Sequence, residues 1–179
     1  MLPSNGEVCS LDDPGSSRIR HSVQASKVEM IPHLLAILVL GLMCGSELNV
    51  AAFAHPTLNA QRLDVHVPVR AALAKLLGRV MPFWMATSTL LNLFLLLRFE
   101  GLKGTAWNLA AIAAGIQASA VLFSLIFPVP INNRIMRWTP ATVPQDWRAQ
   151  EHRWDGFHAF RTLGLIGSFV LLTLSLAVR

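Results

Sequence analysis

The residues best suited to chemistry are a carboxylate, an imidazole and a guanidinium in apolar company: Glu47, His158 and Arg161. Glu47 interrupts an otherwise uncharged stretch from Met30 to Gln61. An ionisable side chain at membrane depth costs at least ~2.5 kcal/mol on insertion scales, so it needs a partner or a role. A hydrated position at the membrane interface is the competing reading. Asn49 and His55 follow Glu47, and His55 precedes Pro56. Proline disfavours the helical conformation in the residue before it, so the first helix is expected to end at His55.

Trp147, Glu151, Trp154, His158 and Arg161 follow one another at spacings of four, three, four and three. On a continuous helix these side chains share one face. Tryptophan alone would suit an aromatic belt at a membrane surface, and a solvated helix end would accommodate the charges. Ionisable groups in membrane bundles tend to face inward, which favours a buried functional face. The segment from Val129 to Trp138 adds Pro130, the adjacent amides Asn132 and Asn133, and the cations Arg134 and Arg137. Asparagine both donates and accepts hydrogen bonds, so this pair can hold a polar ligand or satisfy backbone groups freed by proline. Asp155 and His158 stand one turn apart, but carboxylate-bridged metal bundles need two such pairs and further carboxylates. No metal ligands are assigned. There is no Gly-rich phosphate loop, nucleophile elbow or CxxC.

The elements that must position these residues are membrane helices. Of 179 residues, 53% are hydrophobic and 14% charged, against about 25% charged in soluble domains. Mean hydropathy is +0.49. Uncharged runs cover Met30–Ser46, Val80–Leu97, Gly104–Asn133 and Thr162–Val178. A helix crossing the hydrocarbon core needs roughly 20 mostly apolar residues, with a lower limit near 17. The expected spans are 30–54, 80–98, 104–127 and 161–178. They form an all-α, up-down-up-down bundle of four transmembrane helices over residues 28–179, after a flexible polar tail at 1–27. Met30 is an alternative start. Ile31 to Cys44 also has the length of a signal-peptide core, with Ala52-Phe53-Ala54 as a small-x-small cleavage pattern. On that reading three spans remain.

The second helix is expected to begin near Pro68, which suits a first turn. The fourth is expected to begin near Pro144, with a bend at Asp155-Gly156. The small residues of the third span and Gly41-x-x-x-Gly45 in the first would let helices approach closely. Cys44 is read as a packing residue, and Cys9, in the tail, has no disulfide partner in that span. Four spans put residues 55–79 and 128–161 on one side of the membrane, with nearly all the unusual polar residues. The two long connections carry nine Lys or Arg and the opposite side six, which leans towards long connections inside. The net charge of +5 gathers at span ends, which excludes nucleic acid as the partner. The lipid bilayer is the expected partner, the cell membrane the expected location, and a homo-oligomer is compatible with both.

The polar segments resemble those of the DUF1772 family of small four-span membrane proteins, which includes the fungal anthrone oxygenases. The family pattern "PIN..I..W" is matched by Pro130, Ile131, Asn132, Ile135 and Trp138. Its "DW...RW...H..R" is matched by Asp146, Trp147, Arg153, Trp154, His158 and Arg161. The resemblance covers about residues 30–178. It implies a monooxygenase that converts an anthrone, or another flat aromatic, to a quinone with O₂ and without an added cofactor. On that reading His158 is the base, since histidine titrates near neutral pH. Arg161, Asn132 or Asn133 stabilises an oxyanion. Trp147 and Trp154 stack on the polycycle, Glu47 orients a histidine, and His55 and Trp138 complete the substrate-binding set. The alternative is a non-enzymatic four-helix membrane protein that binds a lipophilic ligand or a partner subunit.

Overall fold

The computed structural model describes residues 14–98 and 102–179, with side chains from Met30 onward. Its helices are α1 (Pro14–Asn49), a π-helical turn (Val50–Ala54), α2 (His55–Asn59), α3 (Leu63–Arg98), α4 (Gly104–Ile126), α5 (Pro128–Ile135) and α6 (Trp147–Ala177). No strand occurs among the described residues. Among the described residues, four helical stretches are long and apolar enough to cross a membrane: Met30–Asn59, Leu63–Arg98, Gly104–Ile126 and Trp147–Ala177. The protein is therefore an all-helical integral membrane protein.

Contacts between helices give the relative directions. His33, near the middle of α1, bonds to Ser175 and to the Leu172 carbonyl late in α6, while Glu47, late in α1, meets Arg161 near the middle of α6. Gln117 of α4 donates to Ser168, and Arg161 donates to Ser124. Both α1 and α4 thus run antiparallel to α6. The connections carrying His66 and Glu151 meet on one side of the bundle.

The main core is built from large side chains against small ones. Leu40, Met43, Leu95, Leu165 and Leu172 pack around Ala106, Ala110 and Ala113 of α4. Small faces suit membrane bundles, where association depends on close packing rather than on expulsion of water. Of the two glycines noted in α1, Gly41 has this duty: a Cβ there would lie 2.8 Å from Phe169 Cε2. Gly45 has open space. Gln117 is a polar tie in the middle of the bundle, accepting from Ser88 and donating to Ser168, which in turn donates to the Ala113 carbonyl.

Several boundaries differ from expectation. Helix α1 begins at Pro14, within the segment read as a flexible tail, while residues 1–13, including Cys9, lie outside the described ones. The chain does not leave its helical path at His55. Proline lacks the N–H that would bond the carbonyl four residues back, and its ring crowds that carbonyl. Pro56 therefore disturbs Ala52, and the chain answers with the π turn, in which His55 N–H reaches Val50 O. Helix α3 starts at Leu63, before Pro68, because burial of His66 and Val67 against neighbouring helices extends it by a turn. Helix α6 begins at Trp147 and runs through Gly156 without a break over 31 residues, about 46 Å. A lone glycine weakens a helix but does not end it when its neighbours are packed.

A second, smaller core carries the site. Val67 and Ala74 of α3, Ile131 and Ile135 of α5, Trp138, and Trp147 and Trp154 of α6 pack together at the end of the bundle where the two long connections lie.

Candidate functional site

Glu47, His158 and Arg161 come together from the two ends of the sequence. Arg161 Nη2 donates to Glu47 Oε2 at 2.5 Å and to His158 Nδ1 at 3.0 Å. Arg161 Nη1 donates to Ser124 Oγ at 3.1 Å, which fixes the guanidinium from α4. His158 Nδ1 lies 3.1 Å from Glu47 Oε2, and its Nε2 donates to the Glu47 backbone carbonyl at 3.2 Å. Glu47 is only 1% exposed. A carboxylate this deeply buried persists only with charged and hydrogen-bonding partners, and here it has both.

The π turn explains how α1 serves this site. In a regular α-helix two residues eight apart are offset by about 80° around the axis. The wider π turn lags behind that rotation and brings His55 back towards the face Glu47 occupies. Single π turns inside α-helices often mark functional sites. His55 packs edge-on against Trp154 at 4.9 Å and lies 5.6 Å from the His158 ring.

Trp154 joins two polar clusters. Its indole stacks on His158 with centroids 4.7 Å apart and an 18° tilt, and the Arg70 guanidinium lies 4.6 Å from its centroid. Beyond it, Arg70 Nη2 donates to Asp155 Oδ1 at 2.9 Å, and Arg70 Nε lies 3.6 Å from Glu151 Oε1. His66 Nε2 sits 2.7 and 2.8 Å from the two Glu151 oxygens, and its Nδ1 is 2.8 Å from the Leu58 carbonyl. Both nitrogens of His66 thus face oxygen atoms, from the Leu58 carbonyl and the Glu151 carboxylate. His55 Nδ1 lies 3.0 Å from Asp155 Oδ1, close enough for charge attraction but too poorly aligned for a hydrogen bond. Asn59 donates to the other Asp155 oxygen at 3.3 Å.

A cavity of about 830 Å³ opens beside the first cluster. This is the size of a small-molecule site. Glu47, His158, Arg161 and Trp154 line it, together with Asn132, Asn133 and Trp138; its apolar wall includes Met81, Pro82, Met85, Val121 and Leu125. Pro82 lies inside α3 and leaves the Gly78 carbonyl, also at the cavity, without its helical donor.

Of the nine residues singled out in the sequence, seven line this cavity and two do not. His55 stands behind Trp154, against Asp155. Trp147 packs on His66 at 5.0 Å and under Arg148 at 4.4 Å, away from the cavity. Trp154 lines the cavity but gives ring surface to His158 and Arg70, which makes it a support for His158. Asn132 donates to the Ala74 carbonyl at 3.2 Å, and Gly78 leaves the room: a Cβ there would sit 3.1 Å from the amide nitrogen. Sequence reasoning missed His66 and the pairing of Arg70. The available signal was the matching four-residue spacing of His66 and Arg70 on α3 with Glu151 and Asp155 on α6. Among the described residues, no group of three His, Cys, Asp or Glu side chains could hold a metal ion.

Fold and site together define a multi-pass membrane protein with an acid–base cluster at the polar end of an apolar cavity. The family model described as anthrone oxygenase matches residues 70–171, more than half of the chain, and the chain belongs to that family. The match covers Trp154, His158 and Arg161 and stops short of Glu47 and His55. Comparisons with curated proteins and with solved structures give no match.

Proposed function

We propose that this protein is a cofactor-independent oxygenase that takes a flat, lipophilic aromatic with an acidic methylene, such as an anthrone, and converts that carbon to a carbonyl with O₂. The observation that carries the reading is one apolar cavity with Glu47, His158 and Arg161 together at its polar end. Membership of the anthrone oxygenase family supports it.

The hydrogen bonds suggest how proton removal and charge stabilisation are coupled. With Nε2–H donating to the Glu47 carbonyl, a neutral His158 keeps its lone pair at Nδ1, where it accepts from Arg161. The substrate C–H proton goes to Nδ1. The new N–H then faces Glu47 Oε2, 3.1 Å away, and the carboxylate stabilises the imidazolium. Arg161 Nη2 can no longer donate to Nδ1, since two donors would meet, and it turns to the substrate oxygen that gains negative charge. The carbanion gives its electrons to O₂, a C–O bond forms, and the peroxide takes back the proton. Loss of water from the hydroperoxide leaves the carbonyl. One O₂ is consumed, with one oxygen atom kept in the product and one leaving as water. The apolar wall keeps bulk water away from the carbanion.

The test is purified protein in lipid nanodiscs with an anthrone under O₂, followed by quinone absorbance and oxygen uptake. Quinone formation well above the uncatalysed rate, with one O₂ per quinone, is the expected result. A rate equal to that of empty nanodiscs would leave the chain as a ligand-binding member of the family.

A further inference from the structure

We propose that the ligand of this cavity carries an anionic group, held at the mouth by Lys75, Arg79 and Arg137 while its flat apolar body lies inside. The inference deepens the oxygenase reading by naming its substrate class, a lipophile with an ionised substituent.

Lys75 and Arg79 stand four residues apart on α3, so they share one face, and Arg137 comes from the turn after α5. All three line the cavity and all three are exposed. None forms an ion pair among the described residues. The deeper cations of the same end behave differently: Arg70 is paired with Asp155 and Arg161 with Glu47. Among the described residues the one carboxylate on the cavity wall is Glu47, and it is already paired with Arg161. The cavity is therefore apolar inside and carries unbalanced positive charge at its mouth. Such a site concentrates anions, because low-dielectric walls focus the field. A general preference for Lys and Arg at membrane surfaces spreads cations around a bundle. It does not require two separate elements to aim three of them at one opening.

The same chemistry, an anion on an apolar body, is found in a substituent of the substrate and in a lipid headgroup. The experiment measures binding rather than turnover. Anthraquinone-2-carboxylate and unsubstituted anthraquinone are titrated into protein in zwitterionic nanodiscs, with quenching of tryptophan fluorescence as the signal; Trp138 and Trp154 line the cavity. The carboxylate should bind about tenfold more tightly, the combined effect of three exposed ion pairs. The combined Lys75→Gln, Arg79→Gln and Arg137→Gln variant should lose that preference and keep its affinity for the neutral quinone. Should the variant fail to insert, added salt gives a second measure on the native protein, because exposed ion pairs are screened. Equal binding of the two quinones, or a preference that salt leaves untouched, overturns the proposal. Repeating the titration in nanodiscs containing an anionic lipid separates the two sources. Displacement of the carboxylate but not of the neutral quinone assigns the mouth to a headgroup, and no displacement assigns it to the substrate; both uphold the anion site. A carboxylate preference without turnover keeps this proposal and sinks the oxygenase, whereas turnover without the preference does the reverse.

Discussion

His66 and Glu151 meet through three atoms: one ring nitrogen of the histidine reaches both carboxylate oxygens, at 2.7 and 2.8 Å. Both residues are almost fully buried, and neither lines the cavity. The contact joins the start of α3 to the start of α6, so it ties the polar end of the bundle together away from the cavity.

His66→Ala should therefore lower stability rather than the rate per folded molecule. Removing His66 leaves the buried Glu151 only its longer contact with Arg70, and breaking a buried pair typically costs about 3–5 kcal/mol. Unfolding by titration with a denaturing detergent should show the loss, while the folded fraction keeps most of its activity. Unchanged stability would show that the pair carries no structural burden.

His158→Ala should lower turnover by roughly 10² or more, the usual contribution of a general base. Stability should change little by comparison, because the neighbouring Trp154 and Arg161 retain other partners. Single-turnover measurements on a folded, correctly inserted variant give the comparison. Full activity would move the base elsewhere, and His55, 5.6 Å away, is the first place to look.

Trp154→Phe should be mild and Trp154→Ala severe. Phenylalanine keeps a ring for His158 to stack on, and alanine removes the support that sets the imidazole plane. A misplaced catalytic group can cost up to about 10² in rate. Comparing kcat with KM for an anthrone decides the role. An effect on KM alone, with kcat intact, would return Trp154 to direct contact with the substrate.

Pro56→Ala restores a backbone N–H that can reach the Ala52 carbonyl, so the π turn should relax towards a regular α-helix. His55 would then rotate away from Asp155 and Trp154. Turnover should fall by roughly 10-fold while the melting temperature stays level or rises, since proline inside a helix is costly. A variant with native activity would show that the π turn is incidental to the site.

The spans and the α6 stripe were legible because both depend on local sequence. Charge boundaries set the spans, and a spacing of four and three puts Trp147, Glu151, Trp154, His158 and Arg161 on one face whatever the helix packs against. The need of Glu47 for a cation was legible from its isolation, and Arg161 is that cation. What could not be read depends on how elements meet. His66 and Arg70 flank Pro68, which looks like a helix start until the buried partners on α6 are known. The path through Pro56 could not be read either, because a proline ends a helix or distorts it according to what the next residues pack against. Trp147 and Trp154 share a face but lie seven residues apart, about 10 Å along the axis, so one borders the cavity and the other lies beyond it.

Glu47 gives the first long helix a standing of its own. The segment matched by the family model holds the imidazole and the guanidinium, yet the carboxylate that both of them contact arrives from outside it. Cutting the chain after Ala54 would take away both the carboxylate and the carbonyl that fixes the tautomer of His158. The remainder would lose Glu47 and Val50 from the cavity wall and leave Arg161 a buried cation without a counter-ion. Such a cut also breaks the bond from His55 N–H to the Val50 carbonyl, so residues 1–54 and 55–179, made as separate polypeptides in one membrane, should each be inert.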